Sequence, residues 1–112
     1  MKVLVCGSRN WVDELSVRRV LLQLKPSVVI EGGARGADRL AAKVAHELGI
    51  KVLEFPAQWA KFGRSAGYRR NHQMLIEAKP DLVVAFPLGV SRGTWNMVHI
   101  SREAGVPVRV CS

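Results

Sequence analysis

The stretch Glu31-Gly32-Gly33-Ala34-Arg35-Gly36-Ala37-Asp38 decides how the rest of this chain is interpreted. It follows the apolar residues 28–30. The residues after it carry apolar side chains at helical spacing: Ala37, Leu40, Ala41, Val44 and Leu48. A strand, a glycine turn and a helix are therefore predicted in this order. A glycine turn lets a ligand approach the backbone, and the free N–H groups in the first turn of a helix attract phosphate.

Two interpretations of this stretch are open at the level of sequence. Gly33 and Gly36 match the last two glycines of the dinucleotide-binding fingerprint, whereas Glu31 stands where the first glycine belongs. Arg35 offers a bidentate contact to a phosphate. Alternatively the glycines form only a tight turn, and Asp38 favours the start of the helix.

The composition predicts one folded domain, residues 1–112, because 48% of the side chains are apolar. No apolar run approaches the roughly 20 residues of a membrane span, and the apolar N-terminus, residues 1–6, is too short for a signal peptide. Cys6 and Cys111 form neither a disulfide framework nor a metal motif. We therefore expect free thiols and a cytoplasmic location.

The charge of the chain is strongly basic, with 17 Lys and Arg against 9 Asp and Glu and a net charge of +8. Such a surface attracts phosphates, from nucleotides to nucleic acids. The basic residues are dispersed, however, without a run of five or more. A basic surface that only confers solubility is the alternative, and charge alone does not decide between the two.

The whole chain alternates between strands and helices. Five strands are predicted, at residues 2–6, 28–31, 51–55, 82–86 and 107–110. Four helices are predicted: from a cap at Asp13 to Leu24, from the glycine stretch to near Gly49, at 66–78 and at 94–104. Residues 56–67 are predicted to be irregular. Short crossover helices imply parallel strands, so the fold class is α/β: one three-layer domain with a five-stranded, mainly parallel sheet, helices on both faces and an expected strand order of 3-2-1-4-5.

Loops rich in glycine, hydroxyl and arginine side chains follow strands one, two and four. In a doubly wound sheet, ligands bind beyond the carboxyl ends of the strands, so three such loops favour a phosphate-bearing ligand over coincident turns. The hydroxyls of Ser91 and Thr94 suit phosphate oxygens, although both residues also suit the cap of the fourth helix. The candidate ligand-binding residues are Gly7, Ser8, Arg9, Gly32, Gly33, Arg35, Gly36, Asp38, Arg70, Asn71, Gly89, Ser91, Gly93 and Thr94.

The start of the third helix supplies a second group of polar residues. Arg64, Arg69 and Arg70 suit phosphate, and Asn71 suits a base edge or a ribose, although a single Arg is more often a solvated helix residue. Nearby aromatic side chains can stack on a base or belong to a core or partner surface: Trp59 and Tyr68.

Catalytic residues are not identified by the sequence. The three histidines, His46, His72 and His99, lack the spacing of metal ligands, so no metal site is expected. Glu31, Asp38 and Glu54 lie near strand ends on the predicted ligand side, where binding or structural roles are favoured over acid–base catalysis.

The motifs together resemble the YspA-like branch of the SLOG superfamily, which joins the DprA/Smf DNA-processing proteins and the LOG nucleotide hydrolases. The resemblance covers nearly the whole chain in the same order. It rests on Gly7-Ser8-Arg9, on residues 32–38, on Arg70-Asn71, and on Phe86-Pro87 through Gly93-Thr94. It implies a Rossmann-like sheet and a ligand of the NAD, ADP-ribose or nucleoside phosphate class, sensed or processed in a bacterium or a phage-infected host.

Two departures from the family separate the alternatives. The LOG enzymes carry a catalytic Glu where this chain has Met97, which argues against N-glycoside hydrolysis by their route. DprA proteins share the Gly-Ser-Arg motif and bind single-stranded DNA, but they are longer. The leading hypothesis is therefore a nucleotide-binding protein in which any hydrolysis is left open. The alternatives are a weak single-stranded nucleic-acid module and a LOG-type hydrolase. The sequence names no cofactor beyond a nucleotide-type ligand, and family analogy predicts a homo-oligomer in which Trp95 could supply the surface.

Overall fold

The five strands form one parallel sheet in the order β3-β2-β1-β4-β5, which confirms the predicted topology. The computed structural model describes all residues 1–112. In chain order the strands are β1 (Lys2–Gly7), β2 (Val28–Glu31), β3 (Lys51–Glu54), β4 (Leu82–Phe86) and β5 (Val108–Val110).

The helices are α1 (Glu14–Leu24), α2 (Ala37–Glu47), α3 (Trp59–Phe62), α4 (Ala66–Gln73) and α5 (Arg92–Glu103). The side chain of Asp13 caps α1 by accepting the N–H of Ser16 at 3.2 Å, as the sequence predicts. Lys25 ends this helix with a left-handed backbone, φ 48°. No helix is both long and apolar enough to cross a membrane.

The central strand β1 separates two apolar cores, because its side chains alternate between the two faces of the sheet. Val3 and Val5 pack with Val29 and Phe86 against α1 and α2. On the other face, one cluster joins β1, β4, α5 and the segment after α4, and its members include Leu4, Ile30, Met74, Val83, Met97 and Val98. Helices therefore cover both faces, and the three-layer α/β fold class is confirmed.

Three local predictions are corrected by the structure. Residues 56–67 are not irregular throughout, because they contain α3 and a 3₁₀ turn at Gly63–Ser65. The predicted third helix is α-helical only to Gln73 and continues as a π-helical turn, Met74–Ala78. The last helix begins at Arg92 instead of residue 94 because Ser91 takes the cap position, and the N–H of Trp95 donates to the Ser91 carbonyl at 3.1 Å.

Candidate functional site

A cavity of about 440 Å³ opens at the carboxyl ends of β1 and β4. These two strands are neighbours, but the chain leaves β1 towards β2 and leaves β4 towards β5, so the crossovers diverge here. This is the switch point at which doubly wound sheets bind ligands. The loops after β1, β2 and β4 and the start of α4 form its walls.

Most of the residues predicted from the sequence line this cavity. They come from the three glycine loops and from α4: Gly7, Ser8, Arg9, Arg35, Asp38, Arg70, Asn71, Ser91, Gly93 and Thr94. Gly32, Gly33 and Gly36 lie in the turn before α2 but do not line the cavity, and Gly89 borders a neighbouring depression. Gly33, with φ 73°, lies between β2 and α2 as predicted.

The turn before α2 satisfies several of its own hydrogen-bonding groups. The buried Asp38 carboxylate accepts the N–H groups of Gly32 at 3.1 Å and Ala34 at 3.4 Å. The N–H of Ala37 donates to the carbonyl of Ser8 at 3.2 Å. The N–H groups of Gly32, Ala34 and Ala37 are therefore already engaged by protein acceptors. Within this stretch, Arg35, Ala34 and Asp38 are the residues that reach the cavity.

The glycines of this turn make room for other parts of the protein. A Cβ on Gly32 would collide with the Arg70 guanidinium, and one on Gly36 would collide with the Ser8 carbonyl. On Gly33 it would lie 2.8 Å from a carboxylate oxygen of Glu54. The lack of a side chain at these three glycines therefore allows the turn to pack closely against neighbouring residues. The glycines affect the shape of the cavity without lining it.

The start of α5 places unused donors at the cavity. Arg92, Gly93 and Thr94 make no hydrogen bond through their backbone N–H groups to any protein acceptor. Ser91 and Thr94 hydroxyls bond each other at 2.8 Å and do not cap the helix. Free N–H groups at a helix start, together with the positive end of the helix dipole, are suited to an anion.

Arg70 and Asn71 connect the walls of the cavity. Arg70 donates to the carbonyl of Gly32 at 2.5 Å, to that of Phe55 at 3.4 Å and to Asn71 Oδ1 at 3.1 Å. Asn71 is 4% exposed and donates to the carbonyl of Gly93 at 3.1 Å. The pair thereby links the turn after β2 to the start of α5, and it positions both loops around the cavity.

The electrostatics of the lining favour an anionic ligand. Five arginines line the cavity, and Asp38 is its only acidic residue: Arg9, Arg35, Arg64, Arg70 and Arg92 are the cations. Burial raises the pKa of Asp38 to about 6, against the opposing effects of Arg70 and of the N–H donors from Ala34 and Gly32. The carboxylate is therefore mostly charged at neutral pH. It compensates one of the five arginine charges, so the cavity keeps a large excess of positive charge.

An exposed tryptophan stands at one end of the cavity. The Trp59 side chain is 49% exposed, and the Arg9 guanidinium carbon lies 5.7 Å from the centre of its ring. A Cβ on Gly67 would lie 3.3 Å from the edge of the same ring, so the absence of a side chain there lets the indole lie close to α4. This ring can stack on a planar group in the cavity.

Several lining residues carried no clear signal in the sequence. They include Cys6, Asn10, Met74, Val90 and Arg92. Arg92 could have been found, because it stands between the two candidates Ser91 and Gly93 in the same loop. Cys6 lies in the floor, and burial raises the pKa of its thiol, which argues against a nucleophilic role.

The position of the LOG-type glutamate lies outside the cavity. Met97 is completely buried in the core beneath α5. A carboxylate at this position would be surrounded by apolar side chains. The structure also brings together no group of three or more His, Cys, Asp or Glu side chains that could hold a metal ion.

The fold and the cavity define a doubly wound α/β protein with a basic crevice at the switch point of its sheet. Residues 1–62 match the family described as YAcAr, the YspA, cpYpsA-related SLOG family, and the chain belongs to this family. The family resemblance predicted from the motifs is therefore confirmed.

Two known proteins show the extent of the likeness. Gene 61 protein of Mycobacterium phage D29 is 39% identical over 117 residues, which cover 96% of this chain and 93% of the phage protein. The crystal structure of DNA processing protein A (DprA) from Streptococcus pneumoniae superposes with a TM-score of 0.52 at 20% identity. That match covers 96% of this chain but only 57% of the DprA chain, and it supports the shared fold.

Proposed function

We propose that this protein binds a small nucleotide-derived ligand in the crevice, with a phosphate at the start of α5. The observation that carries this proposal is the set of three unused N–H groups at residues 92–94, which face a cavity lined by five arginines. An oxyanion there gains charge-assisted hydrogen bonds without displacing any protein acceptor. Family membership supports the same class of ligand.

The other polar groups of the crevice fit the remainder of such a ligand. Trp59 offers a flat apolar surface to a base, and the Ser8 and Asn10 side chains offer polar groups to a ribose. The cavity volume of about 440 Å³ is within the usual range for small-molecule sites. We propose a role as a sensor of this ligand.

Removal of a lining arginine should weaken this binding. We expect Arg9→Ala and Arg35→Ala each to cost about 1.5–3 kcal/mol in titration calorimetry with AMP, ADP-ribose, NAD and a cyclic nucleotide, because each removes a charge-assisted contact. Arg19→Ala, an exposed residue of α1 away from the cavity, is the matched control for loss of one charge. Equal affinities for all three variants would place the ligand elsewhere.

Hydrolysis has a separate readout. Incubation of the protein with NAD or AMP, followed by chromatography, measures the release of free nicotinamide or adenine. We propose binding without turnover by the LOG route, since Met97 stands in the core where those enzymes have their Glu. Release of base at a rate that Asp38→Asn abolishes would instead identify an enzyme.

Single-stranded nucleic acid is the second candidate, favoured by arginines next to the exposed rings of Trp59 and Tyr68. We expect only weak binding, which falls steeply with salt because counterion release supplies most of the free energy. Fluorescence anisotropy with a labelled oligonucleotide at about 150 mM salt tests this expectation. Tight binding that Arg69→Ala weakens would favour the nucleic-acid function, because Arg69 lies outside the cavity lining.

Self-association stays a prediction from family analogy. Exposed apolar side chains are present on α1, where Leu15 and Leu22 are 69% and 50% exposed, as well as at Trp95 on α5. Sedimentation velocity over a range of concentrations measures the oligomeric state. A 12.4 kDa species at every concentration would remove this prediction.

A further inference from the structure

A second depression adjoins the crevice along the start of α5. It is shallow and open to solvent, and its lining includes Trp95 and His99. It shares four lining residues with the crevice: Tyr68, Val90, Ser91 and Arg92. The two depressions therefore form one continuous groove, and the start of α5 lines both parts of it.

The exposed aromatic rings of the protein all border this groove. Trp59, Tyr68 and Trp95 are 49%, 43% and 45% exposed. The other aromatic side chains are buried or half-buried: Trp11, Phe55, Phe62 and Phe86. Trp59 lines only the crevice, Trp95 lines only the second depression, and Tyr68 lines both. Exposed rings on both sides of a cationic centre suit a ligand with more than one base.

Asn96 supplies a polar group next to Trp95. Its side-chain oxygen accepts the Asn71 amide N–H at 3.0 Å, which ties this residue to the positioning pair of the crevice. With the oxygen engaged, the Nδ2 group of Asn96 is the donor available to a ring nitrogen or carbonyl in the second depression. The Nε2 atom of His99 contacts the Glu103 carboxylate on the same helix.

We infer that the second depression is a subsite for a second base, so that the preferred ligand carries two bases joined through phosphate. This inference rests on the proposed function, because the bridging phosphate lies on the N–H groups at the start of α5. One base stacks on Trp59, and the other stacks on Trp95 beside Asn96. Arg92, which lines both halves, contacts the bridge between them.

The test compares AMP with P1,P2-di(adenosine-5′) diphosphate by titration calorimetry on the wild type, Trp95→Ala and Trp95→Phe. We expect the dinucleotide to bind about tenfold or more tighter than AMP, and Trp95→Ala to remove that advantage, because stacking on one aromatic ring accounts for this magnitude. AMP affinity should change less than about twofold in the same variant. Trp95→Phe retains a ring and should retain most of the advantage. Trp95 is 45% exposed and belongs to neither apolar core, so thermal melting of the variants should show an intact fold.

The outcomes separate this inference from the proposed function. If neither nucleotide binds, the proposed function fails. If AMP binds but the dinucleotide binds no tighter, or if Trp95→Ala weakens both equally, the second subsite is wrong while the proposed function stands. If Trp95→Ala changes only the sedimentation coefficient, Trp95 belongs to an interface between copies of this chain, which also overturns the subsite. If a single strand of DNA binds more tightly than the dinucleotide, the preferred ligand carries more than two bases, and the inference is overturned.

Discussion

Gly36→Ala should destabilise this protein by about 3 kcal/mol or more, a large fraction of the total stability of an ordinary domain. Gly36 precedes α2 with φ 84° and ψ −128°, a conformation that residues with a Cβ rarely adopt. The added methyl group would also collide with the Ser8 carbonyl and lie 2.7 Å from the Arg9 carbonyl. Urea denaturation followed by circular dichroism measures the loss in the free energy of unfolding.

Gly49→Ala is the matched control for this substitution. Gly49 also has a positive φ, 74°, but no atom lies within 4 Å of the position of its absent Cβ. We expect a loss of about 1–2 kcal/mol from backbone strain alone. The difference between the two variants measures the contact between the turn before α2 and the loop after β1. Equal losses for Gly36→Ala and Gly49→Ala would show that this contact relaxes without cost.

Glu31→Gln should change the pH dependence of stability. Glu31 is completely buried, Oε1 accepts the Gly33 N–H at 2.8 Å, and Oε2 has no partner. Burial raises the pKa of Glu31 from 4.5 to about 8, and the neighbouring Glu54 and Asp38 add to the rise. Between pH 4.5 and 8, the folded protein therefore keeps a proton on Glu31 that the unfolded chain has already lost.

The sign of the effect follows from this difference in bound protons. Stability of the wild type falls as the pH rises from 4.5 to 8, by up to about 1.4 kcal/mol per pH unit. Glu31→Gln cannot lose a proton, so we expect it to match the wild type near pH 4.5 and to exceed it by a few kcal/mol near pH 8.

Denaturation curves across this pH range measure the difference between the two proteins. Asp38 contributes in the same direction between pH 3.8 and 6 in both proteins, so it cancels in the comparison. The exposed Glu77→Gln controls for the replacement of a carboxyl group. Parallel curves for Glu31→Gln and the wild type would contradict a neutral Glu31 in the folded protein.

Gly36 and Asp38 show what the stretch 31–38 contributes to the protein. Gly36 packs against the loop after β1, and Asp38 accepts N–H groups of its own turn. The stretch is therefore a rigid wall of the crevice. Three further unused donors for a phosphate lie at the start of α5, after the loop that follows β4.

The family and the fold were accessible from the sequence. The apolar runs of β1, β2 and β4 are buried on both faces, and this burial imposes a composition that can be recognised in a single chain. Helical spacing and local caps such as Asp13 can also be recognised in a single chain, because both depend on residues within a few positions of each other. The segment 56–67 was less predictable, since α3 buries no residue completely and so leaves little apolar periodicity.

By itself the sequence determined the α/β topology, the switch point and ten of the residues that line the crevice there, because these follow from local periodicity and from the general geometry of parallel sheets. Only the tertiary structure decided which residues of the glycine stretch reach the crevice: Arg35 and Asp38 line it, whereas Gly32, Gly33 and Gly36 do not. That distinction depends on contacts between distant residues: Ser8 with Ala37, Arg70 with Gly32, and Asn71 with Gly93. Spacing along the chain does not encode such contacts, since each forms only when separate loops meet at the edge of the folded sheet.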